Sequence, residues 1–327
     1  MGVERVTIYI ARRMLIGLLL LVIMSFLFFV VTYVITSNQI SGVRADPSVV
    51  RQQRFDTRLR RLGLDQEWYA AYPPFLMSLV RGDLGDSYGT GERVTARIAQ
   101  RLPNSFLLFG TALLIALTLG IPLGVFAATH QYSRLDMFVS VLTYVGVSIP
   151  SFVLSIFLLL FLAVFLRASP LQWGFPLFGM HGGGQEDLGD LLLHMALPVS
   201  ALSIPLVATF SRFMRASMLE VLHQDYVRTG MAKGLPPRIV KYKHALRNAI
   251  IPIITLVALA IPTLVSGTVI IEGIFSWPGM GSLAFNAAIS RDYPMVLGIL
   301  LVVGSFTVVL NLVADVLYAV VDPRIRY

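Results

Sequence analysis

The chain lacks cysteine and has little charge. Of its 327 residues, 13% are charged and 56% are hydrophobic, and the mean hydropathy is +0.75. The lack of cysteine excludes disulfides and thiolate metal sites. A soluble domain of this length could bury a core with far fewer apolar residues, so the composition indicates a protein whose natural solvent is a lipid bilayer.

Patterns for covalent chemistry are also missing. The chain has no G-x-x-x-x-G-K-[ST] run, so it is predicted not to hydrolyse ATP itself. The lack of a Ser/His/Asp or paired-carboxylate arrangement on one membrane face disfavours a membrane-embedded enzyme. His194 stands alone in an apolar run and is expected to pack or hydrogen-bond rather than bind a metal. The sequence therefore predicts no enzyme, and no cofactor or metal bound by this chain.

Long uncharged runs dominate the sequence instead. Each reaches or exceeds the roughly 20 residues that a helix needs to cross about 30 Å of hydrocarbon. Prolines inside them are compatible with spanning helices, because neighbouring helices satisfy the carbonyl groups that proline leaves free. The sequence predicts an all-α integral membrane protein with six transmembrane helices. The six runs are Met14–Ile35, Leu102–Thr129, Met137–Leu166, Leu191–Ser211, Asn248–Ile271 and Tyr293–Ala314.

The 26 lysines and arginines predict the orientation. With a cytoplasmic N-terminus, fourteen of them fall inside, eight of these between Arg212 and Arg247, whereas the short outer loops hold only Arg167 and Arg291. The other ten lie in Thr36–Arg101, which exceeds the roughly 60 residues within which loop charge governs orientation. Both termini are therefore predicted to be cytoplasmic. The same charge bias explains the pI of about 9.9, so nucleic acid is not an expected partner.

The predicted helices fall into three regions along the chain. Residues 1–94 hold the first helix and a polar segment that is expected to form a small extracytoplasmic subdomain. Residues 95–320 hold five closely spaced helices, and residues 321–327 form a cytoplasmic tail. An ion-coupled secondary transporter is the alternative interpretation. It is disfavoured because no internal repeat is visible and polar clusters near the membrane midplane are scarce.

The loop between Arg212 and Arg247 is basic but carries the signals of a folded element. Asp225 is a candidate N-cap for a short helix that starts at Tyr226. Gly234 can take the left-handed conformation at its end, and the two prolines that follow prevent continuation. Small residues along the helix would let one side approach another backbone closely. These patterns predict a short docking helix beneath the membrane.

At this loop the sequence resembles a known family. The run DYVRTGMAKGL followed by HALRNAIIP closely resembles the cytoplasmic EAA loop of ABC importer permeases, in the version of the dipeptide/oligopeptide permease family. Departures occur at Gly230, where the family often has alanine, and at Thr36–Gln39, where a PGDP-like turn is common. Other similar runs, in order, are YIARRML, RGDLGDSY, RLPNSFLL, IPLGV, SIPSFVL, FSWPGMG, RDYP and DPRIRY.

The resemblance implies a type I ABC importer permease fold in the inner membrane, and import of dipeptides, oligopeptides or related small solutes. Besides the lipid bilayer it implies three kinds of partner. These are a homologous second permease subunit, two cytoplasmic ATPase subunits that carry ATP and magnesium, and an extracytoplasmic substrate-binding protein. By position, Arg228 to Leu235 would be the helix that couples to an ATPase. The residues expected at this contact are Asp225, Tyr226, Arg228, Thr229, Gly230, Ala232, Lys233, Gly234 and Leu235.

Two acidic residues interrupt the last two apolar runs. Glu272 is expected at the outer end of helix five, and Asp315 in the inner third of helix six. Acids in membranes suggest function, but charge near a helix end costs far less than charge at the centre, so a structural role is favoured for each. Glu272 is the better candidate of the two for the substrate pathway.

The run Phe275–Gly281 predicts a turn at the outer membrane interface. Trp277 suits that interface, and the glycines permit tight backbone turns. A simple loop with an aromatic-belt residue explains the run as well as the outer gate that the resemblance implies. The candidate pathway and gate residues are Glu272, Trp277, Pro278 and Gly279.

Overall fold

The structure, a computed structural model, describes residues 2–43, 67–168, 175–182 and 187–321. Within these ranges the chain is helical, and the only strand-like pairing is a single bridge between Asp86 and Arg93. The helices are α1 (Gly2–Val43), α2 (Trp68–Val80), α3 (Val94–Thr129), α4 (Arg134–Ser148), α5 (Ser151–Ala168), α6 (Leu188–Leu222), α7 (Asp225–Ala232), α8 (Pro237–Ala249), α9 (Ile251–Ser266), α10 (Val269–Ile274), α11 (Met280–Ile289) and α12 (Tyr293–Val321). Part of α8, Val240–Ala245, is π-helical.

The predicted all-α membrane fold is confirmed. Among the described residues, four helices, α1, α3, α6 and α12, are long and apolar enough to cross a membrane, and two bent pairs bring the number to six if each pair is one span. The third predicted span is one of these pairs, because α4 and α5 meet at 101°. Ile149 at the corner is extended, with ψ of 118°. Pro150 follows it, and a proline disfavours the helical conformation in the residue before it.

The fifth predicted span is also broken. α9 ends at Ser266, and Gly267 then turns the chain with φ of 72°, so the run Asn248–Ile271 is not one helix. Only glycine enters this region of backbone space without a steric cost. Glu272 therefore lies in a separate helix, α10, of six residues.

Contacts divide the chain into two units, residues 1–102 with 283–313 and residues 103–282 with 314–326. In the first unit, α1 packs on α2 through Phe29, whose ring centroid lies 5.3 Å from those of Tyr72 and Phe75. The hydroxyl groups of Ser25 and Tyr72 lie 2.9 Å apart. The polar segment thus contains a helix fastened to the first span. The predicted boundaries at residues 94 and 320 stay predictions, and residues 322–327 of the tail lie outside the described part of the chain.

In the second unit, α6 is the helix on which α4, α5, α8 and α9 all pack. α3 also approaches α6 closely, at Gly120 and Gly124. A Cβ atom on Gly124 would lie 2.5 Å from the Ser211 carbonyl oxygen and 2.6 Å from Met214 Cβ. Residues four apart share one face of a helix, and small residues with this spacing let membrane helices approach. The two glycines therefore set the distance between α3 and α6.

Replacing Gly124 with alanine should destabilise the protein, because the added methyl group would press on the backbone of α6. We expect a loss of about 1–3 kcal/mol, the usual cost of overpacking a core, seen as a lower Tm of the purified protein in detergent. Gly110→Ala is the matched control on the same helix. Its Cβ would meet only Leu264 at an ordinary 3.6 Å. Equal Tm values for the two variants would contradict the close approach.

Candidate functional site

The predicted docking helix is present as α7, Asp225–Ala232, which begins three residues before the expected Arg228 and ends before Leu235. Its N-cap is Gln224, so the prediction that Asp225 is the cap was wrong. Gln224 has the extended backbone of a cap, with φ of −72° and ψ of 148°, whereas Asp225 already lies in the first turn. A negative charge there is favourable because the helix dipole is positive at its N-terminus.

The C-terminal end of α7 is built as the sequence predicts. Gly234 is left-handed, with φ of 79°. Its N–H donates to the Met231 carbonyl at 2.9 Å, and the Leu235 N–H donates to the Gly230 carbonyl at 3.3 Å. This pair of bonds is the Schellman motif, which satisfies carbonyl groups that a helix end leaves free. Lys233 is the last residue before the turn and adds a positive charge at the negative end of the dipole.

One side of α7 is fastened to its own chain. Val227 is fully buried in the same apolar cluster as Val240 of α8. Asn248 Nδ2 donates to the Tyr226 hydroxyl at 2.7 Å. A Cβ on Gly230 would lie 3.7 Å from Val240 Cγ2. Gly230 therefore lies on the side of α7 that faces Val240, and α8 holds α7 in place.

The rest of α7 is open to solvent. Met231 is 44% exposed and Leu235 is 39% exposed, and cationic side chains stand beside them. Exposed apolar side chains that cluster with a polar rim are typical of protein interaction sites. We call this the α7 surface. It comprises Asp225, Tyr226, Arg228, Thr229, Met231, Ala232, Lys233, Gly234 and Leu235, all of them exposed.

The predicted outer residues come together around one carboxylate. Glu272 is fully buried. Its Oε1 accepts hydrogen bonds from the Ser105 hydroxyl at 2.9 Å and the Thr268 N–H at 3.1 Å, and its Oε2 accepts one from the Ser282 N–H at 2.8 Å. We call Glu272 and these three partners, Ser105, Thr268 and Ser282, the Glu272 cluster.

The Glu272 cluster satisfies N–H groups at the start of two helices, α10 after the break at Gly267 and α11 after the turn at Trp277. The first N–H groups of a helix have no partner within it, and a carboxylate is well placed to accept from them. Glu272 serves the start of its own helix, α10, and the first turn of α11. Ser105 Oγ accepts a further first-turn bond from the Met280 N–H at 2.7 Å. A Cβ on Gly279 would come 2.5 Å from the carboxylate, so glycine is required there.

Trp277 is buried inside the chain, so the interpretation of it as an aromatic-belt residue was wrong. Its indole N–H donates to the Asn104 carbonyl at 3.0 Å, and Asn104 Nδ2 donates to the Pro278 carbonyl at 2.8 Å. A buried indole needs a partner for its N–H, and α3 supplies one. Sequence reasoning missed Asn104 and Ser105, although two polar residues at the start of an apolar run were a visible signal.

A second buried carboxylate was also missed. Asp292 precedes α12 and is 4% exposed. It accepts the Tyr88 N–H at 2.9 Å, the Gly89 N–H at 3.2 Å and the Ser87 hydroxyl. These bonds join the runs RGDLGDSY and RDYP, which the sequence places about 200 residues apart. Charge-assisted bonds of this kind are stronger than neutral ones, so Asp292 holds the segment after α2 to the start of α12.

The two remaining residues weighed from sequence lie elsewhere. His194 is buried, with Nδ1 at 2.8 Å from the Asp190 carbonyl oxygen, so it is a hydrogen-bonding residue as predicted. Asp190 also lies 3.2 Å from His181 Nδ1. Among the described residues, no group of three or more His, Cys, Asp or Glu side chains could hold a metal ion. Asp315 is in α12, but its side chain lies outside the described part.

Replacing Glu272 with glutamine should lower stability while keeping the side-chain shape. The amide would turn a donor toward one of the three groups that now donate to Glu272, and an unsatisfied buried group costs about 1–3 kcal/mol. The measurement is the Tm of the purified protein, with Glu220→Gln on the exposed surface of α6 as control. A Glu272→Gln variant as stable as the control would show that the cluster does not hold the turn together.

The chain is similar in sequence to a known family of membrane transport proteins. Residues 120–327 match the family described as binding-protein-dependent transport system inner membrane component. The chain is 36% identical to the oligopeptide transport system permease protein AppB of Bacillus subtilis, over 98% of this chain and 99% of that protein. It is 39% identical to the OppB permease protein of Haemophilus influenzae, over 81% and 82% of the two chains. It is 36% identical to the di/tripeptide permease protein DppB of Pseudomonas aeruginosa, over 98% of each. The chain therefore belongs to the family of inner-membrane components of binding-protein-dependent transport systems, the non-catalytic permease subunits of ABC importers, with the type I importer fold.

Proposed function

We propose that this permease subunit imports dipeptides, oligopeptides or related small solutes. The names of its relatives, which match it over most of their length, concern oligopeptides and di- and tripeptides. In this proposal the chain forms half of the translocation pathway, a homologous permease forms the other half, and an extracytoplasmic binding protein delivers the solute. Both termini lie in the cytoplasm.

The α7 surface carries the proposal, as the contact with an ATPase subunit. It combines exposed apolar side chains with the cations Arg228 and Lys233, and α7 is held to its own chain by buried Val227 and by the hydrogen bond to the Tyr226 hydroxyl. A partner can therefore grip α7 without detaching it from its own chain. ATP and magnesium bind to the ATPase subunits in this arrangement, and this chain binds neither.

Movement of α7 would reach the membrane through α8. α8 packs on both α7 and α6, and it continues into α9 across a bend of 40°. An ATPase dimer that binds two conformations of the permease with different affinity would shift the equilibrium between them. The free energy for alternating access then comes from ATP bound on another subunit.

The Glu272 cluster is the proposed support of the outer gate. Trp277, Pro278 and Gly279 form a turn that is held to α3 by hydrogen bonds with Asn104, and the Met280 N–H that follows donates to Ser105. We propose that this turn borders the outer end of the pathway and that Glu272 positions it. In this role Glu272 acts through the turn and need not touch the solute.

Replacing Gly234 with valine should release the ATPase. A β-branched residue cannot hold φ of 79° without strain of about 1–2 kcal/mol, so the end of α7 would rearrange. We expect loss of ATPase co-purification and of ATP-driven uptake, with membrane insertion unchanged. Gly234→Asn should keep both activities because asparagine tolerates this conformation.

Gly91→Val is the matched control for that experiment. Gly91 has φ of 72°, and like Gly234 it has no atom within 4 Å of an added Cβ. The strain is therefore similar, but Gly91 precedes α3 and is far from α7 in the sequence. Normal ATP-driven uptake by Gly234→Val, or equal losses in the two valine variants, would contradict the docking assignment.

The orientation can be tested with single cysteines, since the chain has none of its own. Thr90 and Gln131 are both exposed, and they lie beyond opposite ends of α3. A membrane-impermeant maleimide should label Thr90→Cys in intact cells and Gln131→Cys only after permeabilisation. The reverse pattern would show that the termini are extracytoplasmic.

A further inference from the structure

A cavity of about 330 Å³ lies between α4 and α6. The side chains of Ser140, Tyr144, Thr209, Arg212 and Arg215 are among those that line it, and none of the lining residues that the structure describes is acidic. Neither the docking proposal nor the Glu272 cluster uses this cavity.

The two arginines in the cavity differ in their partners. Arg215 is paired with the buried Asp136 through two bonds, Nε to Oδ1 at 2.7 Å and Nη2 to Oδ2 at 2.9 Å. Its charge is therefore compensated inside the chain. Arg212 lies over the ring of Tyr144, with 4.4 Å between its guanidinium carbon and the ring centroid. A cation–π contact orients a cation but leaves its net charge, so the cavity carries the positive charge of Arg212.

This charge stands where hydrocarbon gives way to lipid headgroups. Arg212 directly follows the uncharged run Leu191–Ser211, which is about as long as the hydrocarbon is thick. Beside the cavity, on the hydrocarbon side of Arg212, α4 carries Val141, Leu142 and Val145, which are 50–58% exposed. The guanidinium group can bind the headgroup of a phospholipid, and the exposed apolar face of α4 can contact its acyl chains.

We propose that this cavity binds the phosphate of an anionic phospholipid, whose acyl chains cover the apolar face of α4. Basic pockets between membrane helices recognise such headgroups, and arginine forms forked bonds with phosphate oxygens. The hydroxyl groups of Ser140 and Thr209 lie in the same cavity and can bond to the rest of the headgroup. A soluble anion would make no use of the apolar face, and a zwitterionic lipid has no net charge for Arg212 to attract. The inference does not depend on which solute is transported.

The test uses the assembled importer, purified in detergent and depleted of lipid. Dioctanoyl phosphatidylglycerol and dioctanoyl phosphatidylcholine are titrated separately, and bound lipid is counted by native mass spectrometry. We expect preferential binding of phosphatidylglycerol, weakened roughly fivefold in Arg212→Gln, the factor expected from one interfacial basic residue. Arg212→Lys keeps the charge and should retain most of the binding.

Arg134→Gln is the matched control. Arg134 is exposed at the start of α4, before the uncharged run Met137–Leu166, and it does not line the cavity. The Arg134→Gln variant should bind phosphatidylglycerol as tightly as the unchanged protein does. Equal losses in Arg134→Gln and Arg212→Gln would reduce the effect to general surface charge and overturn the proposal. Displacement of the lipid by millimolar inorganic phosphate would overturn it too, because the site would then belong to a soluble anion.

Discussion

Inside a bilayer every backbone N–H and C=O group must find its partner within the protein, and this constraint decides where the chain can interrupt its helices. The break after α9 is the clearest case. Gly267 turns the chain, and Glu272 accepts the N–H group of Thr268, which follows the turn. Glu272 and Ser105 also accept N–H groups in the first turn of α11. Burying a carboxylate without partners would be costly. Here it is stabilising, because it accepts hydrogen bonds from several N–H groups that would otherwise be unsatisfied.

The Glu272 cluster and the α7 surface satisfy their backbone groups in different ways, and this gives them different functions in our proposal. The Glu272 cluster uses its polar groups within the chain, so it is suited to holding a turn in one position. The α7 surface has its backbone satisfied by the Schellman turn at Gly234 and leaves its side chains open to a partner. Between them, α8 and α9 form a continuous path of packed helices within one unit. In the proposed function, this path carries movement from the ATPase contact at α7 to the turn at Trp277.

Much of this could be predicted from the sequence, because hydropathy and charge act over whole segments. The apolar runs, the short helix after Gln224 and the left-handed Gly234 all follow from local patterns, whereas the breaks in the third and fifth runs were not predicted. The contacts that fasten distant segments could not be predicted. The burial of Trp277 could not be predicted, because its partner Asn104 lies 173 residues away in the sequence. Asp225 was taken as the N-cap because an aspartate is a stronger local signal than the glutamine that occupies that position.

The most direct test of the central claim is transport by purified components in lipid vesicles. The vesicles contain this chain and its partner permease, with or without the ATPase subunits, and receive the binding protein loaded with labelled peptide. The account predicts that peptide accumulates only when the ATPase subunits and magnesium–ATP are both present. Accumulation driven by an ion gradient in vesicles that lack the ATPase subunits would contradict it.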